Sequence, residues 1–140
     1  MRPVAFDVPV EAAFDYLVEP RNRPEWQSSL SRVEQLRGEV GPGQTWVDVT
    51  VVGARPAMET TALDRPSSWT ERGVWRAVEA TLTLRFRPVG HGCETTAEVH
   101  VVGHGLARPL GPVLARAAAL AVPRDLRRAA RVLSERSAEH

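Results

Sequence analysis

The C-terminal stretch constrains this chain most. Residues Leu106 to Arg136 read LARPLGPVLARAAALAVPRDLRRAARVLSER. Leu110, Val113, Leu114, Ala117, Ala118, Leu120 and Ala121 recur at helical spacing, which places them on one face of an α-helix. Beyond Pro123 the stripe resumes with Leu126, Ala130 and Leu133. This predicts one long helix whose apolar face packs on strands that precede it. A sheet built first, with a helix laid across it, leaves a hollow wherever the two layers fail to close. That hollow is the expected binding site.

The strands are written in the preceding residues. Val4, Phe6 and Val8 share a face of a first extended segment, Arg2 to Val8. Pro9 then opens a helix, VEAAFDYLV, at a position where its missing N–H costs nothing. Val10, Ala13, Phe14 and Leu17 form its apolar side, Tyr16 falls on the outer side, and Pro20 ends it. RNRPEWQSSL predicts a second short helix with Trp26 as its one large apolar group, plugging the core or lining the mouth of a pocket. Six strands follow. Ser31 to Arg37 leads into the turn GEVGPGQ, which lacks the lysine and the GxGxxG of a phosphate loop and reads as a hairpin. Thr45 to Val52 alternates Val47, Val49 and Val51 with Trp46, Asp48 and Thr50. Ala57 to Leu63 comes next, with Met58 opposing Glu59, so either face suits the interior. On Trp69 to Trp75, Trp69, Glu71 and Gly73 share a face. The clearest period-two pattern sets Val78, Ala80, Leu82, Leu84 and Phe86 inward, and the last strand follows with Ala97, Val99 and Val101. Short turns join neighbours, so the sheet is antiparallel.

Composition removes several functions. A chain of 140 residues builds one domain with a real core. A net charge of +1 predicts no nucleic-acid partner. All 18 basic residues are arginine, which excludes a side-chain Schiff base and a P-loop lysine. Cys93, the lone cysteine, excludes an internal disulfide. MRPVAFDV has no signal-peptide core. The last helix is interrupted by Arg108, Arg116 and two prolines, too charged to supply the about 20 apolar residues of a membrane span. These features predict a cytoplasmic protein, monomer or homodimer, without stable membrane insertion.

Three patterns resemble the START-like superfamily, the helix-grip group that includes polyketide cyclase/dehydrase-type proteins, lipid-transfer domains and birch-pollen-allergen-type proteins. VPVEAAFDYLVEPRNRPEW is similar to the family's opening strand end, first helix and Trp-bearing second helix. LDRPSSW resembles a family turn, and VEATLTLRFRPVGHGCETTAEVHVVG running into LARPLGPVLA resembles the closing hairpin and gripping helix. Cys93 stands where the family usually has threonine. The resemblance implies an α+β fold: a curved antiparallel sheet of about seven strands around a long C-terminal helix, with two short helices between the first two strands. It assigns residues 1–136 to a single START-like domain and 137–140 to a free tail. It also implies a hydrophobic or aromatic small molecule in a cavity between sheet and helix, as in a carrier, sensor or lipid transporter.

That cavity is expected to be lined by Trp26, Met58, Thr60, Trp69, Glu71, Leu82, Leu84, Val99, Val101, Leu114 and Ala118, with the inward face of Ala57 to Leu63 left open. Glu71 is the candidate catalytic residue, because a carboxyl in an apolar hollow has a raised pKa and suits general acid or base work. An enzyme reading, a polyketide cyclase or dehydratase, therefore stands beside the binding reading. The plain alternatives for Glu71 are an exposed strand edge or an ion pair with Arg72 or Arg76. Asp48 and Glu59 are weaker acid candidates. No metal is expected: His100 and His104 sit on a strand and in a glycine corner, His91 is in a turn, and neither HExxH nor CxxC occurs. No cofactor motif is present. Cys93 lies two residues from His91, a neighbour that would activate a thiol, but it reads as a small residue starting a strand. Arg124, Arg127, Arg128 and Arg131 form a basic run that reads as a solvated face, or as a contact for an acidic partner or a membrane surface.

Overall fold

The structure, a computed structural model, describes residues 1–139. Strand β1 (Val4–Phe6) leads into helix α1 (Val10–Val18), a 3-10 turn (Pro20–Asn22) and the one-turn helix α2 (Arg23–Trp26). Then come β2 (Leu30–Arg37), β3 (Thr45–Thr50), β4 (Ala57–Asp64), β5 (Ser68–Trp75), β6 (Val78–Val89) and β7 (Gly92–Gly103). A second 3-10 turn (Gly105–Ala107) precedes helix α3 (Leu110–Ala138). All seven strands form one antiparallel sheet, ordered β1-β7-β6-β5-β4-β3-β2. The chain is the expected α+β helix-grip: the sheet curves around α3, with both short helices between β1 and β2.

The inward faces follow the alternation. Val78, Leu84 and Phe86 of β6 are buried, as are Trp69, Glu71 and Gly73 of β5. On β4, where either face was open, Met58 and Thr60 are buried. On β3 the strand ends at Thr50 and the inward residues include Trp46 and Asp48, while Val51 and Val52 stand exposed in the following turn. Three tryptophans, Trp26, Trp46 and Trp69, are almost wholly buried. An aromatic side chain removes about 150–250 Å2 from water, about 4–6 kcal/mol each before conformational entropy is subtracted.

Two expectations change. Tyr16 is not on an outer surface. It is buried under α2 and the end of α3, where its hydroxyl donates to Glu25 Oε1 at 2.9 Å and the Arg136 guanidinium lies 5.6 Å from its ring centre. The second change concerns α3. The stripe of Leu110, Val113, Leu114, Ala117 and Leu120 does not pack on the sheet; Leu120 is 70% exposed and Val113 62%. The contact stripe lies more than a third of a turn away, at Gly111, Ala115, Ala118 and Val122, and continues into Leu126, Ala129 and Leu133. A Cβ on Gly111 would stand 3.2 Å from the Val101 carbonyl oxygen, so the helix foot approaches β7 backbone to backbone. Gly103 is tighter still: a Cβ there would fall 1.9 Å from the Ala107 carbonyl oxygen, and only glycine lets the 3-10 turn fold back onto β7. Hydrophobic periodicity found the helix but not the face, because small residues rather than leucines permit this close approach. The helix runs through Pro123 to Ala138, so Ser137 and Ala138 of the expected free tail are helical; His140 lies outside the described residues.

Candidate functional site

Between the sheet and the middle of α3 is a cavity of about 340 Å3. Its sheet side is formed by Met58, Leu82, Leu84 and Val99, and its helix side by Ala118, Val122 and Leu126. Trp26 and Leu30 close one wall. Ser29, Trp75 and Ala121 also line it and are exposed, so they mark the rim. The volume falls within the about 300–1,000 Å3 of small-molecule sites.

One charged cluster interrupts these apolar walls. Arg23 begins α2, between Pro20 and Pro24, whose rings hold φ and stiffen the segment. Its side chain is 3% exposed. Arg23 Nε donates to Asp48 Oδ1 at 3.1 Å and Nη2 to Asp48 Oδ2 at 2.8 Å. Nη1 donates to Glu71 Oε2 at 2.7 Å, and Nη2 also reaches Gln27 Oε1 at 3.3 Å. Trp46 Nε1 donates to Asp48 Oδ1 at 2.9 Å, and the guanidinium carbon lies 5.2 Å from the Trp46 ring centre. The planar fork of arginine bridges two carboxylates on separate strands, which the point charge of a lysine cannot match.

Two carboxylates share one cation, so the fully ionised cluster carries one net negative charge in a desolvated place. The Glu71 carboxyl is pushed above its usual range by burial, with repulsion from Asp48 adding to it, and Arg23 pulling the other way. Arg23 stays charged: burial acts against it, but Glu71 and Asp48 outweigh that and raise its pKa. Glu71 is therefore the member of the cluster disposed to hold a proton. A second acid lines the helix side. Asp125 of α3 accepts from Ser28 Oγ at 3.1 Å and Ser28 N at 3.4 Å, and burial raises its carboxyl.

The structure brings seven of the expected lining residues to the cavity: Trp26, Met58, Glu71, Leu82, Leu84, Val99 and Ala118. Four lie elsewhere. Trp69 and Thr60 are bound to each other, Trp69 Nε1 donating to Thr60 Oγ1 at 3.0 Å, in the filled part of the core. Val101 sits under the foot of α3, and Leu114, 39% exposed, is on the solvent side of that helix. Glu71 is neither an exposed edge nor paired with Arg72 or Arg76: Arg72 bonds Glu79 at 2.5 Å, and Arg76 lies 4.8 Å from the Trp75 ring centre. Glu59 is on the opposite face of β4 from Met58 and outside the cavity. Sequence reasoning missed Arg23 and Asp125. The signal for Arg23 was weak: it is one of two arginines between Pro20 and Pro24, just before Trp26, and the partner that explains it is 48 residues away.

The remaining candidates are quiet. Cys93 is buried and its thiol is pushed up to about 11, chiefly by burial, so it is not a nucleophile at neutral pH. Among the described residues, no group of three His, Cys, Asp or Glu side chains is placed to hold a metal ion.

A family model described as polyketide cyclase/dehydrase and lipid transport matches residues 2–137. No curated protein sequence matches the chain. Among solved structures, the crystal structure of Ara h 8.0201 superposes with a TM-score of 0.71 at 14% identity, covering 95% of each chain. Protein MLL2253 from Mesorhizobium loti superposes with a TM-score of 0.73 at 15% identity, over 96% of this chain and 98% of that one. The di-domain ARO/CYC StfQ from the steffimycin biosynthetic pathway gives a TM-score of 0.76 at 18% identity; 98% of this chain matches 51% of that one. These likenesses are likenesses of fold.

Proposed function

The chain belongs to the polyketide cyclase/dehydrase and lipid-transport family, and from that premise we propose that it binds a hydrophobic or aromatic small molecule in the cavity beneath α3. The observation that carries this reading is a hollow of about 340 Å3 with apolar walls and one fixed polar cluster, Asp48–Arg23–Glu71. Apolar walls supply affinity, about 25 cal/mol per Å2 of surface removed from water. The carboxyls of Glu71 and Asp125 orient the ligand, because a buried polar group rewards only a partner that satisfies it. Mass spectrometry of organic extracts from the purified protein tests this. A stoichiometric lipid or aromatic compound supports the reading. No retained compound, together with no melting-temperature shift across a panel of polycyclic phenols and fatty acids, would refute it.

A second reading makes the same cavity an active site of cyclase or dehydratase type. Its support is the upward-shifted pKa of Glu71, caused chiefly by burial, since a carboxyl that gives up its proton less readily is better suited to general-acid work. Glu71 would give that proton to a departing hydroxyl or an enolising carbonyl, and Arg23 would hold the carboxylate that remains. The apolar walls would fold the substrate into reacting geometry. Glu71→Gln keeps the shape and removes the proton donor. A turnover that survives this change unaltered would end the catalytic reading and leave the binding one intact.

A further inference from the structure

The mouth of the cavity opens on a surface unlike the rest of the molecule. Of the twelve large apolar side chains exposed among the described residues, all but Met1, Val40, Val89 and Val102, the last on the outer face of β7 opposite Glu79, gather around the mouth or on the outer side of α3. Val51 and Val52, in the turn after β3, are 65% and 86% exposed. Trp75 ends β5 on the rim, and Leu106 stands wholly exposed where the chain turns into α3. From there the outer stripe of α3 is apolar for three turns, through Val113 to Leu120, and continues at the same spacing as Arg124, Arg128 and Arg131.

The charge around this patch is predominantly positive. From Val99 to Arg124 there is no aspartate or glutamate, while Arg108, Arg116 and Arg124 occur, and the turns 51–56 and 76–77 add Arg55 and Arg76. Arg55 bonds Glu34 and His104 lies 3.7 Å from Glu79. Arg76, Arg108, Arg116 and Arg124 have no acid partner among the described residues. The net charge of +1 hides this local excess.

We propose that this pole, formed by the β3–β4 turn, Trp75 and the outer face of α3, docks on an anionic phospholipid bilayer. Arginines meet the headgroup phosphates, and the valines and leucines enter the headgroup–acyl boundary. A second copy of the chain fits less well, because a two-fold contact sets each patch against itself. It would face unpaired arginines with unpaired arginines and cover the rim at Trp75. An anionic bilayer neutralises the arginines, and the cavity then opens onto the phase in which an apolar molecule is dissolved. Docking stands whether or not the cavity carries a ligand.

Flotation of the full chain with phosphatidylcholine vesicles, with and without about 30% phosphatidylglycerol, tests it. The chain floats with the anionic vesicles and not with the neutral ones, and added salt releases it. Val113→Ser with Leu120→Ser lowers partitioning by at least about tenfold, whereas Val89→Ser, at the opposite pole, leaves it unchanged. Arg116→Glu with Arg124→Glu changes only exposed positions and lowers it about as much, near fivefold for each arginine removed. Melting curves confirm that each variant is folded. Absence of flotation with anionic vesicles overturns the proposal, and so does flotation indifferent to both double variants. Sedimentation as a dimer that these substitutions dissociate, without vesicle binding, overturns it in favour of a self-interface.

Discussion

The concave face of the sheet is solid at one end and hollow at the other. At the solid end α1 supplies Phe14, Tyr16 and Leu17, and Phe14 meets Phe86 edge-on with ring centres 5.0 Å apart. At the hollow end α3 offers mostly small side chains, Ala118, Ala121 and Val122, beside Leu126 and Asp125, above Met58, Leu82 and Val99. The sheet presents the same kind of alternating surface to both. The size of the side chains facing it decides whether the space is filled, because interiors pack densely and small residues on a stiff helix cannot reach across. The charged cluster lies on the lining of the hollow, where Arg23 holds Asp48 and Glu71.

The largest effect expected comes from that cluster. Arg23→Met leaves two buried carboxylates without a cation and should cost about 3–5 kcal/mol in urea denaturation, as for a broken buried ion pair. Replacing Asp48 and Glu71 by leucine in the same protein should recover most of it. A single variant close to wild type would mean that the hollow end is wet enough to solvate the acids, and the two ends would differ less than described. Overpacking probes the comparison directly. Ala13→Leu, at a fully buried site of α1, should cost about 1–3 kcal/mol. Ala80→Leu, on the cavity wall, should cost less than about 1 kcal/mol, since it grows into open space, while abolishing any ligand-induced rise in melting temperature. Equal costs would erase the distinction.

Smaller effects sharpen it. The Glu71 carboxyl titrates above its ordinary value near 4.5. Between that value and the raised one the folded chain binds more protons than the unfolded chain, so the stability contributed by Glu71 is complete at low pH and declines as pH rises. Glu71→Gln does not titrate, so the variant should gain on wild type steadily as pH rises across that window, read from urea melts at successive pH values. The opposite trend would show a carboxyl held ionised by Arg23. Asp125→Asn should move the same way, since burial raises Asp125 as well. The smallest change is at the solid end. Tyr16→Phe removes the donor to Glu25 and should cost about 0.5–1.5 kcal/mol at all pH values where Glu25 is ionised.

Much of the architecture was legible because it rests on local periodicity. Val78 to Phe86 could only be a strand with one buried face, and the stretch after Gly105 could only be a long helix. The inward set of β5, with Trp69, Glu71 and Gly73 together, also follows from alternation alone. What alternation does not carry is depth along the strand. Trp69 and Glu71 share a face, yet Trp69 is sealed against Thr60 while Glu71 lines the cavity. The helix misled for a different reason: α3 has two apolar stripes, and the more hydrophobic one faces solvent. A pattern of leucines signals burial by something, and that something need not be this chain.

The residues by themselves determined the order of elements, the antiparallel sheet, the family likeness and a carboxylate on the inner face, since each depends on neighbours a few positions apart. Only the tertiary structure decided that Arg23 closes on Asp48 and Glu71, which face of α3 touches the sheet, and where the interior stays empty. Those outcomes depend on distances between residues tens of positions apart, and on the balance of side-chain volumes across two layers. Neither quantity is written in any local stretch of sequence.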